Sequence, residues 1–300
     1  MYAISTDSLT KHYGRVRALR GLKLEVVQGT VFGFLGANGA GKTTAIRLLL
    51  GLIKPTSGSA TVLGRDSVTE GADLRREVGY LPGELAMYPW ASGQELIGLL
   101  GGFYPETPWR RELCDALEMS AADLRRPIRE YSTGMKQKLG LIQALQHAPR
   151  LAILDEPSRG LDPVIQRSFF DLIRRISGRG TTVFMSTHVL SDVEHVCDRV
   201  AIIRAGELLV TDDVDSLRRR KVHRLEVTLA QPADMSWVLE TGASLTELSY
   251  PPATYVIETA DRLGAVLRRL GELPVVGMVS ERPRLEDVFI RYYEGQVAKP

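Results

Sequence analysis

Gly36-Ala37-Asn38-Gly39-Ala40-Gly41-Lys42-Thr43, followed by Thr44, is the stretch on which the reading of this chain turns. Its spacing is G-x-x-x-x-G-K-[ST], the pattern of a loop that wraps a polyphosphate. Glycines let the backbone turn so tightly that successive N–H groups point inward at anionic oxygens. A helix starting at Lys42 adds its partial positive end, Lys42 neutralises phosphate charge, and Thr43 offers a hydroxyl to Mg²⁺. Working outward, Val31-Phe32-Gly33-Phe34-Leu35 reads as a buried strand before the loop, and Lys42 to Leu50 as a helix after it. Strand, glycine loop and helix in that order distinguish a phosphate site from a mere glycine-rich turn.

Further along, Leu151-Ala152-Ile153-Leu154 delivers Asp155 and Glu156 to a strand end. Thr182 to Ser186 reads as another buried strand, with His188 just beyond it. Open α/β sheets bind ligands at the carboxyl ends of their parallel strands. Asp155 suits the hydration shell of Mg²⁺, and Glu156 suits a general base that polarises an attacking water. Taken alone, the acidic pair reads equally as the start of a turn before Pro157, and His188 as an ordinary structural histidine. Gly160-Leu161-Asp162-Pro163 and the shared strand-end position join them. Short apolar strands alternate with amphipathic helices up to about residue 220, which predicts a layered α/β domain with parallel strands. A more helical stretch, roughly Gly93 to Leu145, interrupts it.

Bulk properties set the limits. A chain of 300 residues suggests two domains. The net charge of +2 gives no global field that would favour nucleic acid. Cys114 and Cys197, the only cysteines, form neither a disulfide framework nor a zinc site. No signal peptide is read in Met1 to Asp7, and the longest apolar run, Leu48 to Ile53, is far short of the roughly 20 residues needed to span a bilayer. A membrane connection is therefore expected only through a partner. The basic run Arg218-Arg219-Arg220-Lys221 reads as a solvated helix end and linker. After it come expected strands at 225–229, 253–258 and 275–279, and a helix at 261–270. Leu285, Val288, Phe289 and Tyr292 would line one face of a closing helix.

The order of these motifs resembles the nucleotide-binding domain of the ATP-binding cassette (ABC) transporter family over residues 1–220, and looks most like its bacterial exporter branch. The resemblance implies an α/β P-loop NTPase fold of ABC type with a helical subdomain at about 85–148, and a small C-terminal α+β accessory domain at 221–300. It implies that Tyr13 stacks on adenine and that His188 works beside Glu156 at the γ-phosphate. Ser132-Thr133-Gly134-Met135 matches the family signature, which acts on the ATP of the opposite subunit. By itself the same tetrapeptide is a plain helix N-cap. Gly160-Leu161-Asp162 matches the loop that communicates across the dimer.

ATP and Mg²⁺ are the implied cofactors. The implied partners are a transmembrane permease and a second ATP-binding subunit, either another copy or a paralogue, with no nucleic acid. The implied place is the cytoplasmic face of the cell membrane. Two departures stand out: the signature continues as Met135-Lys136, and Gly83 occupies the position of the family's glutamine. Glycine has no side chain to ligate anything, so water or Glu84 must serve there. The competing readings are an ABC-type nucleotide sensor with weak hydrolysis, or a soluble ABC ATPase acting on ribosome or chromosome. Soluble relatives carry two cassettes or a long coiled coil, whereas the interval Thr43 to Ser132 holds several prolines and no sustained heptads.

Overall fold

The computed structural model describes residues 1–219, 223–248, 253–259 and 262–281. The chain divides into two compact units, Met1–Val214 and Asp215–Ala298. The first begins with a long hairpin, β1 (Tyr2–Tyr13) and β2 (Val16–Val27), followed by β3 (Val31–Leu35) and helix α1 (Lys42–Leu49). Next come β4 (Ser57–Val62), β5 (Arg65–Asp66), the single-turn α2 (Gly71–Leu74) and β6 (Val78–Leu81). Helices α3 (Gly93–Gly101), α4 (Arg110–Ala116), α5 (Ala121–Arg125) and α6 (Thr133–Leu145) then follow with no strand between them. The unit closes with β7 (Leu151–Asp155), α7 (Pro163–Gly178), β8 (Thr182–Thr187), α8 (Leu190–Val196), β9 (Arg199–Arg204) and β10 (Glu207–Asp213). Helix α9 (Val214–Arg219) spans the division.

One sheet has the order β10-β9-β3-β8-β7-β6. Its β9, β3, β8, β7 and β6 run parallel, and β10 is antiparallel to β9. The parallel arrangement puts the segments after β3, β6, β7 and β8 at the same edge. β3 and β7 are buried at every residue, as expected of strands covered on both faces. Phe184 of β8 stacks with Phe32 at 5.9 Å between ring centroids and tilts against Phe34 at 5.4 Å. Fully burying each such ring contributes about 1.5–3 kcal/mol.

A second sheet, β2-β1-β4-β5, is wholly antiparallel, which the expectation of a parallel layered domain did not include. Its pattern is weak along the sequence. β1 carries the polar run Ser5-Thr6-Asp7-Ser8, and its pairing with β2 shifts register at several places. The expected helical stretch is present as α3 to α6. In α7, Ile165, Phe169, Leu172, Ile173 and Ile176 form the buried stripe of an amphipathic helix.

The second unit is an antiparallel sheet of β11 (His223–Leu229), β12 (Ser244–Leu248), β13 (Thr254–Thr259) and β14 (Val275–Glu281), in the order β12-β13-β11-β14. Helices α10 (Trp237–Glu240) and α11 (Leu263–Leu270) close its core, in which Leu225, Val227, Ile257, Val238 and Val266 are buried. The three expected strands and the helix at 261–270 correspond to β11, β13, β14 and α11; β12 and α10 are additional. Arg220, Lys221 and the expected closing helix at 285–292 lie outside the described residues. Among the described residues, no helix is long and apolar enough to cross a membrane.

Candidate functional site

The glycine loop leaves β3 and enters α1 through Gly41, whose φ of 107° favours glycine. A Cβ at Gly41 would lie 2.5 Å from the Ala18 carbonyl oxygen, so the antiparallel sheet also presses the loop into place. Gly41 supplies no side-chain cap to α1. The first amides of that helix, which have no partner within the helix, therefore remain available to an anion.

Lys42 is buried and folds back along the loop. Its Nζ donates to the Gly36 carbonyl at 2.6 Å and lies 3.3 Å from Glu156 Oε1. Thr43 Oγ1 donates to Asp155 Oδ2 at 2.8 Å, and Ser186 Oγ donates to Asp155 Oδ1. Asp155, at the last position of β7, is 2% exposed. Burial, with Asp155 adding to it, pushes the Tyr80 phenol up.

Glu156 stands at φ 53°, a left-handed conformation that is strained for a residue with a side chain. Its N–H donates to the Ser186 carbonyl at 3.1 Å, while Gln137 Nε2 of α6 donates to its carbonyl at 3.2 Å and to that of Pro157 at 2.9 Å. His188 Nδ1 lies 2.8 Å from Glu156 Oε2. Glu156 Oε1 is buried and takes no hydrogen bond within the protein; Lys42 reaches it only at ion-pair distance.

Most of these groups border a cavity of about 500 Å³; Ser186, Gln137 and His188 are not among its lining residues, and His188 reaches it only through Glu156. Asn38, Gly39, Gly41, Lys42, Thr43, Thr44, Asp155 and Glu156 all line it, and so do Gly83 and Glu84. Gly36 and Ala40 belong to the loop wall behind. Arg17, Arg20, Arg47 and Arg159 also border the cavity, so cations outnumber carboxylates there. That balance suits a polyphosphate. Gly83 packs against Asp155: a Cβ there would lie 3.1 Å from Asp155 Oδ2.

The remaining expected site residues are elsewhere. Tyr13 is half-exposed beneath Lys11 Nζ and does not line the cavity, although Val16 and Arg17, just past the hairpin turn, do. Ser132, Thr133, Gly134 and Met135 form the start of α6, and Ser132 Oγ accepts the Met135 N–H at 3.2 Å. Asp162 caps α7 through the N–H groups of Val164 and Ile165, which holds its carboxyl below the usual range. Gly134 and Gly160 meet closely, since a Cβ on Gly134 would sit 2.7 Å from the Gly160 carbonyl oxygen. The signature and the Gly160–Asp162 loop are thus joined to each other and not to the cavity of their own subunit.

Sequence reasoning missed Ser186, Gln137 and the four arginines. Ser186 had a signal, its place in Ser186-Thr187-His188 at a strand end. Gln137 and the arginines come from distant segments and had none.

The donor set of Thr43 and Asp155 is all oxygen, which fits Mg²⁺. No group of three or more His, Cys, Asp or Glu residues arranged for a metal occurs among the described residues. A hard cation held by one carboxylate and one hydroxyl completes its shell with phosphate and water oxygens.

The sequence profile described as ABC transporter matches residues 19–159. The bacitracin transport ATP-binding protein BcrA of Bacillus licheniformis is 37% identical over 230 residues, covering 76% of this chain and 75% of that protein. The daunorubicin resistance ATP-binding protein DrrA3 of Streptomyces coeruleorubidus is 31% identical over 300 residues, covering 96% and 95%. Among solved structures, an ATP-binding subunit of an ABC transporter superposes with a TM-score of 0.66 at 26% identity, over 72% of this chain and 92% of that one.

Proposed function

Because the chain belongs to the ABC transporter family as an ATP-binding, ATP-hydrolysing subunit, we propose that it drives an exporter: paired head-to-tail with a second ATP-binding subunit, it powers a separate permease at the cytoplasmic face of the membrane. The observation that carries the hydrolytic part is the Glu156 carboxylate, which lines the cavity with Oε1 3.3 Å from Lys42 Nζ and Oε2 2.8 Å from His188 Nδ1. Apart from the ion pair with Lys42, Oε1 takes no hydrogen bond, so it keeps acceptor capacity for a water at the cleft.

The loop amides and Lys42 bind the β- and γ-phosphates, and the arginines around the mouth add attraction. Glu156 Oε1 takes a proton from a water whose oxygen attacks the γ-phosphorus. The bond from that phosphorus to the β-phosphate bridging oxygen breaks, and ADP and phosphate leave. His188, bonded to Oε2, fixes the carboxylate's orientation during this step. Mg²⁺ held by Thr43 and Asp155 would neutralise charge on the phosphates.

Pairing is supported by the Ser132–Met135 segment, which has no substrate within its own subunit. A permease partner is supported by the exposed apolar side chains of the helical region, Tyr88, Trp90, Leu99 and Phe103, of which Phe103 is 76% exposed. Tyr88 and Trp90 pack on each other at 5.4 Å between ring centroids, and an exposed aromatic pair of this kind suits an interaction surface. Export is supported by relatives named for bacitracin transport and daunorubicin resistance.

Glu156→Gln tests the reading. It should lower ATP turnover about 100-fold or more and, with ATP present, trap a dimer seen by size-exclusion chromatography. Equal rates in the two proteins would remove Glu156 as the base and favour a nucleotide sensor. A persistent monomer would count against the composite site.

A further inference from the structure

Glu156 and His188 ride on two different segments, one after β7 and one after β8, and a single buried carboxylate stands behind both. Asp192, in the first turn of α8, is 1% exposed. Its Oδ2 accepts hydrogen bonds from Ser158 Oγ and, at 3.4 Å, from Thr187 Oγ1. Its Oδ1 accepts from Gln166 Nε2 of α7 at 2.8 Å. Ser158 is two residues beyond Glu156, and Thr187 is the residue before His188. Gln166 follows the Gly160–Asp162 loop by one helical turn.

Burial pushes the Asp192 carboxyl up; Ser158 and Thr187 oppose that with their hydrogen bonds, the Glu156 charge adds to it, and His188 counters it. A buried carboxylate contributes little to stability when an apolar side chain of similar volume would serve. What Asp192 does supply is one carboxylate that takes hydrogen bonds from three segments at once.

We propose that Asp192 is a positioning residue for hydrolysis: by pinning Ser158 and Thr187 it holds Glu156 and His188 in register at 2.8 Å, and through Gln166 it ties that pair to the Gly160–Asp162 loop. This rests on the reading that Glu156 and His188 act on ATP. Misplacing a catalytic group by about 1 Å can cost about 100-fold in rate. Loss of the anchor should therefore act on turnover and leave the phosphate cradle, which it does not touch, unchanged.

The test uses the full chain, with folded sites counted by stoichiometric binding of a fluorescent ATP analogue. Asp192→Ala should lower kcat per bound nucleotide about 30- to 100-fold, with nucleotide affinity changed less than about threefold. Asp192→Asn keeps one acceptor oxygen and should lose less, about three- to tenfold. Combining Asp192→Ala with His188→Ala should give no more loss than the worse single change, because both act on one unit.

Unchanged kcat per bound nucleotide in Asp192→Ala would overturn the proposal. So would losses that multiply with those of His188→Ala, the result expected of a merely structural carboxylate. Should Asp192→Ala fail to fold, Asp192→Asn and Ser158→Ala carry the same comparison. Glu156→Gln in parallel separates the two ideas: if it turns over at the wild-type rate, the hydrolytic reading has failed, whereas a dead Glu156→Gln beside a fully active Asp192→Ala sinks only the role of Asp192.

Discussion

Helices α1 and α6 each begin at a loop that carries functional residues, and their first turns are satisfied in different ways. α1 starts from Gly41 with no side-chain cap. α6 starts from Ser132, whose oxygen accepts the Met135 N–H. A glycine in place of a capping side chain forgoes about a few tenths of a kcal/mol of helix stability. The fold accepts that loss at α1, where uncapped amides face a cavity lined with cations, and avoids it at α6. One helix end is built for an external anion; the other is complete for folding and has one hydroxyl proton left to donate outward. A subunit alone should therefore bind nucleotide fully yet use its signature only when paired.

Of the changes that bear on this contrast, Lys42→Ala should have the largest effect on nucleotide affinity. It removes the one buried cation of the cradle and the partner of Glu156 Oε1. A charged hydrogen bond is worth about 1.5–3 kcal/mol, so affinity for a fluorescent ATP analogue should fall about 10- to 100-fold. An unchanged dissociation constant would erase the distinction between the two helix ends.

Ser132→Ala sharpens the comparison from the other side. Losing the cap should lower stability by about 1 kcal/mol, read as a lower urea midpoint. Nucleotide affinity of the single subunit should stay as it was, while ATP-dependent pairing in a Glu156→Gln background weakens. A drop in single-subunit affinity as large as that of Lys42→Ala would mean that Ser132 serves its own cavity after all.

The two ends also differ in how far the sequence disclosed them. Gly36 to Thr43, Asp155 and Glu156 were legible because their chemistry demands fixed residue types at fixed spacings on strands that are apolar throughout. The capped state of Ser132 was legible as a local motif, but its meeting with Gly160 was not, because that contact joins segments far apart in the chain. Gln137 and Asp192 were illegible for the same reason: on helices α6 and α8 each is one polar residue among several, and only folding turns it toward the segment after β7. Tyr13 is a different case. Its expected role comes only from the resemblance; in this fold it lies under Lys11, and Val16 and Arg17, just past the same hairpin turn, line the cavity. The antiparallel hairpin escaped because its alternation is broken by bulges and by polar residues in β1.

Following α6 to its far end gives the smallest and most local prediction. There Gln146 is fully buried and paired on both sides, donating to the Ile97 carbonyl and accepting from Arg110 Nε at 2.8 Å. The next residue, His147, has neither ring nitrogen bonded, and it stacks on Tyr104 at 3.7 Å with rings 12° apart. Burial pushes its pKa down from 6.5 to about 4. The unfolded chain therefore binds a proton between pH 6.5 and about 4 that the folded chain refuses, so the stability that His147 permits is present above 6.5 and is lost as pH falls through that window. Other groups also titrate in acid, so the measurement must be a difference. His147→Phe keeps the stacking surface and forfeits no hydrogen bond. Its urea midpoint should track that of the wild type at pH 7.5 and exceed it increasingly down to pH 5. Two curves that stay parallel across that range would show that the imidazole takes up its proton as easily folded as unfolded, and that this end of α6 is wetter than its packing indicates.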